Sequence, residues 1–220
     1  MSKLIYENPL SNKDDIKDFI LEGKADISFS DGVMRLENNL SAKEAQKAGF
    51  VLWCPMVFPA DVSIEWEFKP IKEPGCAQMF FAAKPKEGPG CIFGQDLAKR
   101  NGEYEEYHSG DLNAFHISYF RRREPSERYF HTCNLRKSYG CHLVAQGADP
   151  IPDASGDAEW YRITITKRGS RVYLHINELQ ILEYIDDGIT YGNLLTGGNI
   201  GLRQVGPMAA EYRNLKVTWI

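Results

Sequence analysis

The sequence predicts an all-β protein folded as a two-sheet antiparallel sandwich. Residues 160–220 contain five short runs in which apolar and polar side chains alternate, separated by turn-forming Gly, Asn, Asp and Pro. Such alternation is typical of strands that bury one face and expose the other, as in antiparallel sheets. A chain of 220 residues suits one domain of this class. We therefore expect residues 1–220 to form a single domain.

The N-terminal region predicts a lead-in followed by a hairpin. Residues 11–21 place apolar side chains on one side behind a capping residue, which favours a short helix or an irregular segment. Residues 25–38 predict two strands joined at Asp31 and Gly32, because this dipeptide tolerates the positive φ of a tight turn.

The next segments predict a helix within a loop and then an apolar strand. Residues 41–48 are rich in helix-forming side chains, and residues 50–58 form an apolar run. Pro55 lies inside that run and lacks the N–H that a central strand donates. This proline indicates a sheet edge or a bulge.

Residues 62–69 predict a strand that carries two acidic side chains on one face. Glu65 and Glu67 are about 6–7 Å apart, since a strand rises about 3.3 Å per residue. Carboxylates about 5–10 Å apart serve glycoside hydrolysis, one as acid and the other as nucleophile or base. A solvated outer face explains the same pair, so both interpretations remain open.

Residues 116–142 form a basic segment in an acidic protein. The segment has six Arg and Lys against two Glu, whereas the whole chain has a formal net charge of −4. Three His and three Tyr are interleaved with the cations. A guanidinium binds carboxylates in bidentate fashion, and a tyrosine offers a sugar both a ring and a hydroxyl. The segment predicts a groove for a saccharide with acid groups, or else loop arginines paired with surface acids.

Candidate site residues follow from this segment and from the strand at residues 200–205. The candidates for proton transfer are His116, Tyr119 and His131. The candidates for substrate binding are Arg121, Arg122, Asn134, Arg136, Lys137, Tyr107, Arg203 and Gln204. Burial of Ile200 and Leu202 would leave Arg203 on the opposite face and Gln204 near the rim. For residues 115–120, the alternation allows either His116 or Tyr119 to face the groove.

Several motifs of the chain resemble a known family. These are FHISYFRRR, NLRKSYG, HLVAQGADPIPD, DDGITYG, GNIGLR and YRNLKV. Together they resemble the bacterial YesU-like proteins and the end of a concanavalin-A-like lectin or glucanase jelly roll. The resemblance implies a two-sheet antiparallel jelly-roll sandwich and the use of pectin-type or rhamnogalacturonan-type saccharides. It supplies no catalytic residues.

Three functions fit these residues, and the sequence leaves open whether the protein is an enzyme. A lyase-like β-elimination needs a cation or amide at the uronate carboxylate, a base for the C5 proton and an acid for the leaving oxygen. A binding module needs the same groove without turnover. A hydrolase would use paired carboxylates, either Glu65 with Glu67 or the group of Glu105, Glu106 and Asp111.

Composition and charge limit the classes of binding partner that we expect. A net charge of −4 gives no electrostatic reason to expect nucleic acid or an anionic membrane as a partner. The N-terminus lacks an apolar core of signal-peptide length, so we expect a cytoplasmic protein. Five cysteines at irregular spacing predict reduced thiols. No cofactor is predicted beyond a structural calcium ion at Asp186, Asp187 and Gly188, and the oligomeric state is left open.

Overall fold

The computed structural model describes residues 2–38, 40, 44, 49–88, 90–154 and 158–220. Within these residues the chain forms two antiparallel sheets, which confirms the predicted fold class. Apart from residue 44, the helix expected over residues 41–48 lies outside the described residues. In the described part, no helix is long and apolar enough to span a membrane.

Sheet A has the strand order β13-β12-β11-β6-β15-β4-β3, with β1 paired to β15. Its strands are β1 (Lys3–Asn8), β3 (Asp26–Ser30), β4 (Val33–Glu37), β6 (Val62–Lys72), β11 (Tyr161–Arg168), β12 (Arg171–Ile176), β13 (Leu179–Ile185) and β15 (Ala209–Trp219). The hairpin predicted over residues 25–38 is confirmed by the pairing of β3 with β4.

Sheet B has the strand order β10-β9-β8-β7-β14-β5-β2. Its strands are β2 (Ile20–Gly23), β5 (Gly49–Phe58), β7 (Cys76–Pro85), β8 (Leu112–Arg121), β9 (Thr132–Lys137), β10 (His142–Ala148) and β14 (Gly198–Val205). The described helices are a 3-10 helix (Lys13–Ile16), α1 (Tyr104–His108) and α2 (Pro125–Tyr129). Pro55 lies where the β5–β14 register shifts, as its sequence position predicted.

The main core lies between the two sheets and decides which face of β8 turns outward. Phe115, Ile117 and Tyr119 of β8 are fully buried against sheet A. Tyr119 packs edge-to-face on Trp66 and Phe68, with ring centroids 5.2 and 5.1 Å apart. Large aromatic side chains contribute most to such cores. This packing turns the intervening residues of β8 toward the outer face of sheet B.

The lead-in at residues 11–21 differs from the predicted helix. Asn12 accepts a hydrogen bond from Asp14 N at 2.8 Å, and Asp15 caps the segment in return. The resulting 3-10 helix ends after one turn, at Ile16. Ile20 then begins β2, which pairs with β5. Strand pairing with sheet B therefore replaces the continuation of the helix.

A second, smaller cluster covers part of the outer face of sheet B. Trp53 and Phe80 point outward and pack against Tyr107 of α1 and against Ile92. The expectation that Tyr107 contacts a substrate is corrected, because its ring is enclosed against Trp53 and Phe80 and does not line the neighbouring depression. The cluster fills one part of the face and leaves the neighbouring part as a polar depression.

Candidate functional site

The polar depression on the outer face of sheet B is a cleft of about 170 Å³, which we call the arginine cleft. Its side chains come from β7, β8, β9 and β14, from α1 and from the region of α2. It is lined by Cys76, Gln78, Tyr104, His116, Ser118, Arg121, Arg123, Glu127, Asn134, Arg136, Arg203 and Val205. The strand residues alternate with core residues, so the core packing fixes their direction.

His116 is held at the floor of the cleft by a chain of hydrogen bonds. Tyr104 Oη lies 2.8 Å from His116 Nδ1. Cys141 Sγ donates to Tyr104 Oη at 3.8 Å. Since the phenol then directs its hydrogen to Nδ1, we assign the hydrogen of the imidazole to Nε2. Nε2 is buried and has no hydrogen-bond partner among the described residues.

The protonation of these groups follows from their burial. Burial lowers the pKa of His116 well below its usual value, and the nearby His108, Arg136 and Arg203 lower it further. Burial also raises the pKa of Tyr104. His116 is therefore a neutral imidazole near pH 7, and Tyr104 is a protonated phenol.

The Arg203 guanidinium is buried in the cleft and uses only part of its hydrogen-bonding capacity. It is fully buried and lies 5.1 Å from the ring centroids of both Tyr104 and Tyr107. Nη2 donates to Gly102 O at 3.1 Å, but Nε and Nη1 have no partner among the described residues. Burial lowers the pKa of this guanidinium, which records the cost of its desolvation.

Gly102 lets the backbone approach Arg203. Its φ is +96°, and a Cβ at this position would lie 2.0 Å from Gly49 O. Only glycine fits there, because a side chain would both clash and strain the backbone. The position of the Gly102 carbonyl, which accepts from Arg203, therefore requires glycine at residue 102.

The other cations of the cleft are positioned by neutral groups and by two acids, Glu124 beside Arg123 and Glu127 beside Arg121. Arg121 donates to Thr132 Oγ1 at 2.7 Å and to Glu127 Oε1 at 2.6 Å. Arg136 donates to Cys141 O at 2.9 Å. Glu127 Oε2 also accepts from the backbone N–H of Arg123 at 2.9 Å, so both of its oxygens are engaged. The cleft retains an excess of positive charge.

The structure brings five of the predicted site residues together: His116, Arg121, Asn134, Arg136 and Arg203 all line the arginine cleft. The Asn134 amide lies 2.8 Å from the Gln146 amide. In the orientation that satisfies its neighbours it donates to Cys133 O at 3.1 Å and accepts from Arg121 Nη1 at 3.1 Å, and these contacts hold it at the wall. The residue types suggested these five as candidates, whereas the alternation left the direction of His116 open. Their roles stay predictions.

Tyr119 and Gln204 require correction, because both point to the other side of sheet B. Tyr119 lies in the main core and cannot contact a ligand in the cleft. Gln204 is fully buried and donates to Tyr212 Oη at 2.9 Å. Tyr119 directly follows Ser118 of the cleft, and Gln204 directly follows Arg203. Because successive strand residues point to opposite faces, both side chains lie between the two sheets.

Arg122 and His131 also lie outside the cleft, in a buried ion-pair network. Arg122 contacts Asp149 at 2.8 Å and Asp153 at 2.9 Å. It also donates to Ile151 O at 2.6 Å and lies 2.9 Å from His131 Nδ1. This guanidinium fixes the proline-containing loop of residues 149–153, so the expectation that Arg122 contacts a substrate is corrected. His131 lies outside the arginine cleft with its side chain 31% exposed, and its role in proton transfer stays a prediction.

Lys137 also lies outside the arginine cleft, because its ammonium forms a buried ion pair between the sheets. Its Nζ lies 2.9 Å from Asp186 Oδ1 and 2.8 Å from Gly192 O. The ammonium thus occupies the carboxylate for which the sequence suggested a calcium ion. Asp187 accepts from the backbone N–H groups of Ile189 and Thr190, at 2.8 and 2.9 Å.

Sequence reasoning missed Gln78 and Tyr104. Gln78 is the polar residue within the apolar run of β7, and its Oε1 is buried without a partner among the described residues. A polar residue within an apolar strand could have marked Gln78 as a candidate from the sequence alone. Tyr104 lies in the five-residue helix that precedes β8, 12 positions before His116, and no local pattern indicates the contact between them.

The carboxylates proposed for hydrolysis lie elsewhere. Glu65 and Glu67 are on the outer face of sheet A and pair with Arg162 and Arg213. In the other group, Glu106 accepts from the backbone N–H of Asn101 at 2.7 Å, and Asp111 accepts from that of Ala98 at 2.8 Å. The arginine cleft contains neither group.

The family model "Domain of unknown function (DUF1961)" matches residues 3–217. The chain belongs to the DUF1961 family. It is 48% identical over 213 residues to the uncharacterised protein YesU of Bacillus subtilis (strain 168), covering 97% of this chain and 94% of that protein. The resemblance to YesU-like proteins seen in the sequence is thereby confirmed.

Solved structures place this DUF1961 member among galectin-like sandwiches. A Bacillus subtilis protein of unknown function with a galectin-like fold matches with a TM-score of 0.92 and 48% identity, covering 99% of this chain and 97% of that one. The carbohydrate recognition domain of Emp47p matches with a TM-score of 0.61 and 13% identity, covering 98% and 96%. At that identity the second likeness shows the fold alone.

Proposed function

We propose that the arginine cleft binds a saccharide that carries carboxylate groups. The observation that carries this proposal is the set of buried donor atoms without partners among the described residues: His116 Nε2 and Arg203 Nε and Nη1. Leaving such donors unpaired in a buried site costs about 1–3 kcal/mol each, and more for a charged group. A carboxylate of a ligand would pair with them.

Two further observations support a sugar as the carrier of that carboxylate. The cleft of about 170 Å³ is smaller than the roughly 300–1,000 Å³ of sites for drug-sized molecules, and this suits one sugar unit. Carbohydrate recognition is also the function named for the Emp47p domain of similar fold. Pectin-type chains, which combine pyranose rings with carboxylates, are the ligand class that we propose.

Binding without turnover fits the protonation states better than catalysis. A general base works best when its pKa lies near the working pH. The pKa of His116 is instead lowered by burial and by neighbouring cations, so its imidazole is a weak proton acceptor. The same imidazole is a good neutral donor through Nε2. The proposed role is therefore recognition of the ligand.

β-elimination is the second candidate, because the required residue types share one cleft. Arg121, Arg136 and Asn134 would neutralise the uronate carboxylate. This reaction requires the other imidazole tautomer, in which His116 Nδ1 donates to Tyr104 Oη and Nε2 is free. Nε2 would then take the C5 proton as the C4–O bond breaks and a C4–C5 double bond forms, and the Tyr104 hydroxyl would protonate the leaving oxygen. An increase in ultraviolet absorbance from the unsaturated product, lost in His116→Ala, would support this reaction over simple binding.

Calorimetric titration tests the binding proposal with two ligands that differ in charge alone. We expect oligogalacturonides to bind and their fully methyl-esterified forms to bind at least about tenfold more weakly, since esterification removes the charge and retains the ring. Arg136→Gln should weaken binding of the acidic form. Arg171→Gln, on sheet A and paired with Glu183, is the matched control. Equal affinity for acid and ester would refute the proposal.

A further inference from the structure

A second cleft of about 620 Å³ lies at one end of the sandwich. We call it the tyrosine cleft, after Tyr139 and Tyr191 in its lining; His142, Lys84, Lys86 and Leu194 also line it. Its volume is within the range of ligand sites. None of these residues belongs to the arginine cleft.

The two clefts are separated by a single turn of the chain. Arg136 and Lys137 are neighbours on β9 and point to opposite faces, one into each cleft. The turn after β9 also contacts both clefts. Cys141 forms hydrogen bonds with Tyr104 and Arg136 of the arginine cleft, whereas Tyr139 lines the tyrosine cleft. Residues 136–141 therefore contribute to both clefts.

The loop that forms one wall of the tyrosine cleft is held by protein groups. Lys137 ties its two ends together by contacting Asp186 and the carbonyl of Gly192. Carboxylate and carbonyl oxygens are also the ligands that calcium prefers. The Lys137 ammonium therefore neutralises and links the oxygens that a structural calcium ion would coordinate. Asp187 closes the turn between these points by capping the N–H groups of Ile189 and Thr190. The wall is therefore organised before a ligand binds.

The lining combines exposed rings with cations. Tyr191 stacks on His142 with ring centroids 4.5 Å apart, and Lys86 Nζ lies 3.9 Å from the ring centroid of Tyr139. Tyr139 is 45% exposed and Tyr191 is 37% exposed. Aromatic rings that remain accessible in a cleft suit the apolar face of a pyranose, and the lysines suit its acid groups.

We propose that the tyrosine cleft is a second saccharide site, which binds further units of an acidic oligosaccharide without calcium. The inference takes its ligand class from the proposed function of the arginine cleft. Its geometry is independent of that cleft, so the two sites can be tested separately.

The test follows the tyrosines directly by fluorine NMR of protein labelled with 3-fluorotyrosine. Tyr139→Phe and Tyr191→Phe assign the two resonances. We expect both to shift saturably with a tetragalacturonide, and to do so equally in EDTA. Tyr191→Ala should weaken the tetramer at least about fivefold and leave galacturonate monomer unchanged. Tyr129→Ala, which removes an 83% exposed ring outside both clefts, is the control.

The outcomes separate the two proposals. Tetramer binding that responds to Arg136→Gln but leaves the Tyr139 and Tyr191 resonances in place would overturn the second site alone. A lack of binding by any acidic saccharide would overturn both proposals. A requirement for calcium would contradict the role of Lys137 as the cation of the loop.

Discussion

Tyr104 Oη and His116 Nδ1 lie 2.8 Å apart, and this contact joins α1 to the middle of sheet B. It sets which imidazole nitrogen carries the hydrogen that faces the arginine cleft. The neighbouring Arg203 stacks on the ring of the same tyrosine. Tyr104 thus orients a neutral donor through its hydroxyl and a cationic donor through its ring.

Replacing Tyr104 by phenylalanine separates these two effects. Tyr104→Phe retains the ring beside Arg203 but removes the partner of His116 Nδ1, so both imidazole tautomers become accessible. We expect affinity for an acidic oligosaccharide to fall by about five- to tenfold, or about 1–1.4 kcal/mol. Calorimetry measures the affinity, and nitrogen NMR of the imidazole reports the tautomer.

The control for this variant is Tyr129→Phe, which removes an exposed hydroxyl on α2. It should change neither the affinity nor the imidazole spectrum. An unchanged tautomer in Tyr104→Phe would contradict the role assigned to the hydroxyl.

Alternation alone predicted the strands and the direction of several side chains. The core faces of β6 and β14 follow from the apolar residues at every second position, whereas β8 allowed either orientation. Once Phe115, Ile117 and Tyr119 are placed inside, His116 must face outward. The sequence did not decide this orientation, because the aromatic partners of Tyr119 come from the other sheet.

Contacts distant in sequence explain what the sequence could not predict. Arg122 and Lys137 looked like ligand-binding cations, yet each meets an acid 27 or 49 positions away, Asp149 and Asp186. Buried arginine and lysine need such partners, and no local pattern reveals them. Tyr104 is only 12 positions from His116, but their contact depends on how α1 packs on β8, which the sequence pattern does not show.

Tyr119→Phe tests the correction of a predicted site residue. The Tyr119 hydroxyl is buried beside Tyr212 and Trp66 but forms no hydrogen bond of normal geometry among the described residues, so its removal should cost little. We expect the free energy of unfolding to change by less than about 1 kcal/mol. Affinity for acidic saccharides should stay the same. A clear loss of affinity in calorimetry would place Tyr119 back in the binding site.

Lys137→Met tests the ion pair that joins the two sheets. The substitution leaves the Asp186 carboxylate buried without its cation, and we expect the free energy of unfolding to fall by about 3–5 kcal/mol. Adding Asp186→Asn should recover a large part of this loss, because the uncompensated charge is removed. Urea unfolding of the two single variants and the double variant measures the coupling. Additive losses would mean that the pair does not act as a unit.

The last prediction concerns acid sensitivity and follows from His116. Burial lowers its pKa in the folded protein well below the usual value of 6.5. In the window below about pH 6.5 the unfolded chain therefore binds the proton more readily than the folded protein.

The stability contributed by neutral His116 is thus fully present above pH 6.5 and is lost as the pH falls. The slope from this one group cannot exceed about 1.4 kcal/mol per pH unit. Urea unfolding at pH 5.5 and 7.5 should show a smaller pH dependence in His116→Gln than in the wild type, because glutamine does not titrate. Equal slopes in the two proteins would mean that His116 is protonated as easily in the folded state as in the unfolded chain, and the neutral donor assigned to the cleft would then be untenable.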